Sequence, residues 1–234
     1  MAKTHLLPKK TPAIFGAKRK GQNCVITIDS TGAKMTANFI GSGRFTTAFR
    51  AGPHVILYTF YGDHSKSVLA QTWYEYGKGN PYLPRITRIG QIEIEGQTAK
   101  IYRAKYYNRV IRKYLSPENE RIVTALQEAQ DDACHEFPDD IVRSNSAYEF
   151  NRVVSGAKGL PESLSLALEH LTEVALDWEG HYIFDNFRIR NLGLDGRGRL
   201  VLIDPMFPMD LIQRDHDYRK RMGDPEYLSG SNYE

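Results

Sequence analysis

A chain of 234 residues with 41% hydrophobic and 25% charged content can bury one sizeable core, or two small ones sharing a cleft. No apolar run approaches the length that crosses a bilayer and the start lacks the apolar stretch of a signal peptide, so a membrane partner is not expected and the cytoplasm is the expected location. The two cysteines, Cys24 and Cys134, stand too far apart to suggest a staple and lack the paired spacing of a zinc site, so neither is given a metal or redox role.

The net charge of +3 is unevenly spread. The first twenty-two residues hold Lys3, Lys9, Lys10, Lys18, Arg19 and Lys20 and no carboxylate, and Pro8, Pro12 and Gly16 argue against a helix there. Residues 1–22 read as a basic, flexible arm. Such an arm could touch nucleic acid or another acidic surface, or stay a solvated terminus. Residues 223–234 read as a second flexible tail.

Asn23 to Asp29 and Lys34 to Ile40 alternate around Ser30-Thr31-Gly32, which predicts a hairpin. It leads into Phe39-Ile40-Gly41-Ser42-Gly43-Arg44-Phe45-Thr46-Thr47-Ala48-Phe49. Paired glycines between strands let backbone N–H groups approach anionic oxygens, and Phe45 could close the tip over a nucleotide. Alone, the motif is more often that of a plain hairpin. His54 to Tyr61 is the next strand, Ser65 to Tyr76 one helix, Gly77 to Pro84 a loop, and Ile92–Glu95 and Ala99–Tyr107 pair across Gly96.

Tyr106 to Val110 connects to a second half. Ser116-Pro117-Glu118 is an N-cap followed by proline at the first helical position, opening a helix toward about His135. The pattern from Phe137 to Gly159 is irregular. From Pro161 to Trp178, Leu164, Ala167, Leu168, Leu171 and Ala175 form a helical stripe that reads as core.

Next come Phe184-Asp185-Asn186-Phe187-Arg188-Ile189-Arg190-Asn191, a polar turn Asp195 to Gly198, and the apolar strand Leu200-Val201-Leu202-Ile203-Asp204. A hairpin this short can bring Asn191 and Asp204 to one point, where a carboxylate and an amide oxygen are hard ligands suited to Mg²⁺. A structural Asn in a turn and a strand-end Asp would leave the same trace.

A glycine loop followed by an Asn, a hairpin and an Asp resembles the protein kinases, in which a catalytic-loop Asn and the Asp of a D-F-G triplet hold the metals. The triplet here reads Asp204-Pro205-Met206. With the run Pro81-Tyr82-Leu83-Pro84-Arg85-Ile86, the chain more narrowly resembles the small kinase-like proteins of bacteriophages, including the early-gene serine/threonine kinases of lytic podoviruses. The resemblance covers about residues 35 to 210. It implies an α+β, two-lobed kinase-like fold: an antiparallel N-lobe with one helix over 23–108, and a truncated, mainly helical C-lobe over 109–222.

The implied function is Mg·ATP-dependent phosphotransfer to Ser/Thr hydroxyls of a host protein, in the host cytoplasm. Gly41, Ser42, Gly43, Arg44 and Phe45 would cover ATP, Asn191 and Asp204 would hold the metal, and Asp185, Asn186 and Arg190 would form the catalytic loop. Three departures qualify this. The strand lysine of kinases falls at Leu57, so Lys66, Arg44 or Arg50 would have to reach the phosphates, and Gln71 and Glu75 are the candidate helix partners of such a lysine. The position five residues before Asn191 is Asn186, with Asp185 one earlier; unless a bulge absorbs the extra residue, Asp185 faces away. Only thirty residues follow Asp204, too few for the usual peptide-binding platform. The alternative is a pseudokinase that binds or inhibits a host protein. A small-molecule kinase of the aminoglycoside-phosphotransferase type ranks last, since it usually keeps the lysine and regular spacing.

Overall fold

The computed structural model describes residues 14–29, 31–137, 144–178, 181–185 and 188–211, together with 213, 217 and 221. The chain is α+β. Its first half contributes the strands β1 (Asn23–Thr27), β2 (Lys34–Ser42), β3 (Thr46–Ala51), β4 (His54–Thr59), β5 (Ile86–Ile94) and β6 (Gln97–Lys105), with helix α1 (Ser65–Tyr76) between β4 and β5. They form one antiparallel sheet in the order β1-β2-β3-β4-β6-β5.

Alternation along the strands divides the sheet into two faces. Phe49, Ile56, Tyr58, Ala99 and Ile101 join one apolar cluster, whereas Leu57 and Tyr102 face the other way and pack with Val68 and Leu69 of α1. Residues 14–22, expected within a flexible arm, belong to the first cluster. Ile14 and Ala17 are buried there, and the Phe15 ring meets Phe49 and Tyr58 edge-on. Gly21 N–H donates to the Phe39 carbonyl at 2.8 Å and Phe39 N–H to that of Gln22 at 2.9 Å. Burying Ile14, partly burying Phe15 and pairing this backbone outweighs the loop signals of Pro12 and Gly16. The rest of the expected arm, 1–13, and the tail 223–234 lie outside the described residues.

The second half holds α2 (Pro117–Glu136), α3 (Ser144–Ser155) and α4 (Glu162–Leu176). Ser116 caps α2, its side chain accepting the Asn119 N–H at 3.2 Å, with Pro117 in the first turn. Ile122, Val123, Leu126, Ala129 and Ala133 supply the buried stripe of α2, and Leu164, Ala167, Leu168 and Leu171 that of α4. The expected helix at 116–135 and that at 161–178 are therefore both present, while α3 was read as irregular. The larger cluster runs unbroken from α1 and the inner sheet face through these helices.

Two small sheets complete the fold. Strands β9 (Leu192–Leu194) and β10 (Leu200–Leu202) form a hairpin extended by β7 (Asn108–Arg109), and β8 (Tyr182–Phe184) pairs with β11 (Met206–Pro208). At Gly193 a Cβ would lie 2.7 Å from Tyr107 Cβ and 3.1 Å from Ile203 Cγ2, so only glycine lets the connector between the halves press this closely onto the hairpin. Among the described residues no helix is long and apolar enough to cross a membrane.

Candidate functional site

Three chain segments are tied together where β8 and β10 end and β9 begins. The Asp185 N–H donates to the Pro205 carbonyl at 2.9 Å, and the N–H groups of Ile203 and Asp204 both donate to the Asn191 carbonyl at 3.1 Å. The Asn191 side chain, nearly buried, donates from Nδ2 to Asp185 Oδ2 at 2.9 Å. The expected hairpin thus brings Asn191 and Asp204 together. The extra residue before Asn191 does not turn Asp185 away, because its carboxylate meets the Asn191 amide. Asn186 lies outside the described residues, and Arg190 is exposed.

Burial raises the Asp185 carboxyl above the ordinary carboxylate range, the Asn191 hydrogen bond opposes this, and the neighbouring Asp204 charge adds to it; Arg190 and Arg188 pull it down. The backbone that delivers Asp185 is held by two buried amides. Asn151 of α3 donates from Nδ2 to the Tyr182 carbonyl at 2.8 Å and accepts the Phe184 N–H at 2.9 Å. Gln130 of α2 donates from Nε2 to the Phe184 carbonyl at 3.0 Å. Sequence reasoning missed both, although Gln130 lies inside the apolar stripe of α2 and could have been noticed as a polar residue out of place.

Lys66 comes from the first turn of α1. Its Nζ forms an ion pair with the Asp204 carboxylate and lies 3.5 Å from the Ile203 carbonyl. The lysine side chain is 4% exposed and that of Asp204 49%, so the pair stands at the inner wall of an open position. Leu57, the position at which the resemblance led a lysine to be expected, is opposite Ala48 and Tyr102 and packs into the core with α1. Neither candidate helix partner meets Lys66: Gln71 bonds Glu75 and accepts the Trp178 indole N–H at 2.8 Å.

Asp63 is the carboxylate nearest to Lys66 along the chain, and it was missed. It is 2% exposed and accepts both the N–H and the hydroxyl of Ser65, at 2.8 and 2.9 Å, at the start of α1. Burial pushes its carboxyl up to about 6, against those hydrogen bonds and the Lys66 charge. The Asp-His-Ser run before a helix was the available signal.

The glycine hairpin joins β2 and β3 through Gly43 to Phe45, with Gly43 N–H donating to the Thr46 carbonyl at 2.8 Å and a register shift between Phe39 and Gly41. A Cβ at Gly41 would meet nothing within 4 Å, and at Gly43 only the Thr46 carbonyl at 3.8 Å. Space therefore lies open beside both. Phe45 does not stand over that space: it is buried against Tyr61, Phe207 and Leu211, because an aromatic ring gains more from apolar contact than from solvent. Ser42 and Arg44 are half-buried in the same turn, and Arg50 lies over the Tyr106 ring at 3.9 Å.

No family model matches this chain and no curated protein matches it. Among solved structures it is similar to the bifunctional kinase-methyltransferase WbdD, with 13% identity over 76% of this chain and 35% of that one, at a TM-score of 0.28. The chain thus spans about a third of that protein's length. At this distance the chemistry has to be argued from the chain's own residues.

Those residues fit Mg²⁺ in its usual setting. Among the described residues no group of three or more histidine, cysteine or acidic side chains is arranged to hold a metal alone. Mg²⁺ does not require one, since it is commonly held by one or two protein oxygens with water and substrate phosphate completing the octahedron. Asp204 and Asn191, with Asp185 behind them, supply hard oxygen donors of that kind.

Proposed function

We propose that this protein is a kinase-like phosphotransferase that uses Mg·ATP and delivers the phosphoryl group to a hydroxyl, of the Ser/Thr type in a protein substrate. The observation that carries the reading is the pairing of buried Lys66 with half-exposed Asp204 beside the Asp185–Asn191 hydrogen bond. A lysine, two carboxylates and an amide at one point are what a phosphate–metal site needs. Nothing in core packing demands an ammonium there, and burying it has a desolvation cost.

In this reading Asn191 and Asp204 would hold the metal, which would neutralise charge on the transferring phosphoryl group. Lys66 takes the phosphate-binding role vacated at Leu57, reaching the site from α1 instead of β4. Asp185, anchored through Asn151 and Gln130, orients the substrate hydroxyl and accepts its proton once ionised. The open space beside Gly41 and Gly43 admits phosphate oxygens close to the hairpin backbone.

The test is calorimetric titration of Mg·ATP into wild type, Asp204→Ala and Lys66→Ala, followed by transfer to a mixed protein substrate. Tight binding by wild type that is lost in both variants supports the reading. A second reading, a pseudokinase acting as a binding module, is favoured by the packing of Phe45 on Phe207 and Leu211, which closes the glycine hairpin onto the segment after Asp204. Absence of Mg·ATP binding by wild type would select it.

A further inference from the structure

From Gly96 to Pro117 the chain has no carboxylate, yet it carries Lys100, Arg103, Lys105, Arg109, Arg112 and Lys113 interleaved with Tyr102, Tyr106, Tyr107 and Tyr114. The segment leaves the large sheet at the end of β6, passes through β7, and turns into α2. Arg103, Lys105, Arg109 and Lys113 are exposed, and among the described residues none of the four pairs with a carboxylate. Two of the nearby acids are already engaged, Glu120 with Arg112 at 2.7 Å and Asp195 with Arg199 at 2.8 Å, which leaves Glu118, just past the segment, as an exposed carboxylate beside it.

The cations sit beside rings. Lys105 Nζ lies 5.7 Å from the Tyr107 ring centre and Lys113 Nζ 4.7 Å from that of Tyr114, which is itself 69% exposed. The backbone carrying them is fixed. Tyr106 N–H donates to the Pro53 carbonyl at 2.8 Å and Arg85 N–H to the Tyr107 hydroxyl at 2.9 Å, Asn108 and Arg109 pair with β9, and Val110 is buried. A binding partner therefore meets exposed positive charges carried on a backbone whose ordering cost has already been met by the fold.

We propose that this face, from Arg103 to Tyr114, is a binding site for single-stranded nucleic acid. Unpaired lysines and arginines follow a phosphate backbone, and an exposed tyrosine beside an ammonium offers a base both a stacking surface and a neighbouring charge. An acidic protein surface would use the charges but gain little from the rings. A bilayer surface would call for more apolar area than Ile111 and Tyr114 provide. This site is separate from the expected basic arm and independent of phosphotransfer.

The experiment is fluorescence anisotropy of labelled dT20 and U20 with the full-length chain, from 50 to 300 mM KCl. The variants are Lys105→Gln/Arg109→Gln/Lys113→Gln, Tyr114→Ala, and Lys3→Gln/Lys9→Gln/Lys10→Gln in the arm, each first shown to melt like wild type. All substitutions are at solvent-exposed or terminal positions, which keeps folding separate from binding. The site predicts salt-sensitive binding by wild type. The triple variant at 105, 109 and 113 should weaken it more than tenfold and flatten the logarithmic salt slope by about 2, one lost contact being worth about 0.7 on a single strand. Tyr114→Ala should weaken it about tenfold with the slope kept, as loss of a stacked base would. A preference between dT20 and U20 would show which nucleic acid is read. No binding at 50 mM KCl, loss only in the arm variant, or capture of anionic phospholipid vesicles but neither oligonucleotide would overturn the proposal.

Discussion

Two hairpins carry residues assigned to the candidate site, and they are built in opposite ways. The β9–β10 hairpin has Leu192, Leu200, Val201 and Leu202 buried, Gly193 pressed against Tyr107, and its open end cross-linked through the Asn191 carbonyl. The β2–β3 hairpin has two glycines that neither a positive φ nor a close neighbour requires, a register shift beside one of them, and a single buried ring, Phe45, holding its tip. The groups assigned to metal and proton chemistry are thus placed by packing that tolerates little change. The groups assigned to covering phosphate sit where the backbone can adjust. This division suits a site in which positions must be fixed at the reacting end and yielding at the cover.

The largest break in that contrast should come from the supports of the rigid side. Asn151→Ala removes both hydrogen bonds to β8 and leaves a buried carbonyl and N–H without partners, costing about 3 kcal/mol at 1–3 kcal/mol per group. Denaturant unfolding would measure it, and phosphate transfer should fall with it because Asp185 loses its anchor. Gly193→Ala forces a Cβ against Tyr107 and Ile203, for about 2 kcal/mol. An unfolding midpoint equal to wild type would mean that the connector simply moves aside.

Asp63 tests the α1 side with the opposite sign. Its carboxyl is raised from 3.8 to about 6, so the folded protein holds a proton that the unfolded chain releases between those values, and stability falls as pH rises through that window. Asp63→Asn keeps an acceptor for Ser65 and removes the buried charge. It should raise stability near pH 7 by about 1–2 kcal/mol and flatten the pH dependence between 4 and 6. Unchanged pH dependence would show that Asp63 does not ionise within that window. The smallest effect belongs to the open hairpin: Gly43→Ala should change stability by less than about 0.5 kcal/mol, while weakening Mg·ATP affinity if phosphate oxygens occupy that space.

Where the sequence was legible, the signals were local. The Ser116-Pro117 cap marked the start of α2, the Ser65–Tyr76 run matched α1, and an apolar run leading to Asp204 after a short turn marked the β9–β10 hairpin. What escaped were polar residues on buried faces. Asn151 sits among Ala147, Phe150 and Val154 of α3, so a count of apolar periodicity reads that helix as broken. Asp63 looks like an ordinary turn residue until the fold closes over it. Ile14 and Phe15 were hidden by their proline and glycine neighbours, since nothing local announces that a segment will dock on a sheet formed later in the chain. Phe45 was assigned to the nucleotide, whereas its partners Tyr61, Phe207 and Leu211 are dispersed in sequence.

In the proposed phosphotransferase, Lys66 from α1, facing Asp204, would do the phosphate work that a strand lysine would otherwise do. This role is tested most directly by Mg·ATP titration of wild type, Lys66→Ala, Lys66→Arg and Leu57→Lys. The expected result is binding by wild type, loss of at least tenfold in Lys66→Ala, partial retention in Lys66→Arg, and no gain in Leu57→Lys, whose ammonium would enter the apolar packing of β4 against α1. Equal affinity in wild type and Lys66→Ala, or a gain in Leu57→Lys, would contradict it.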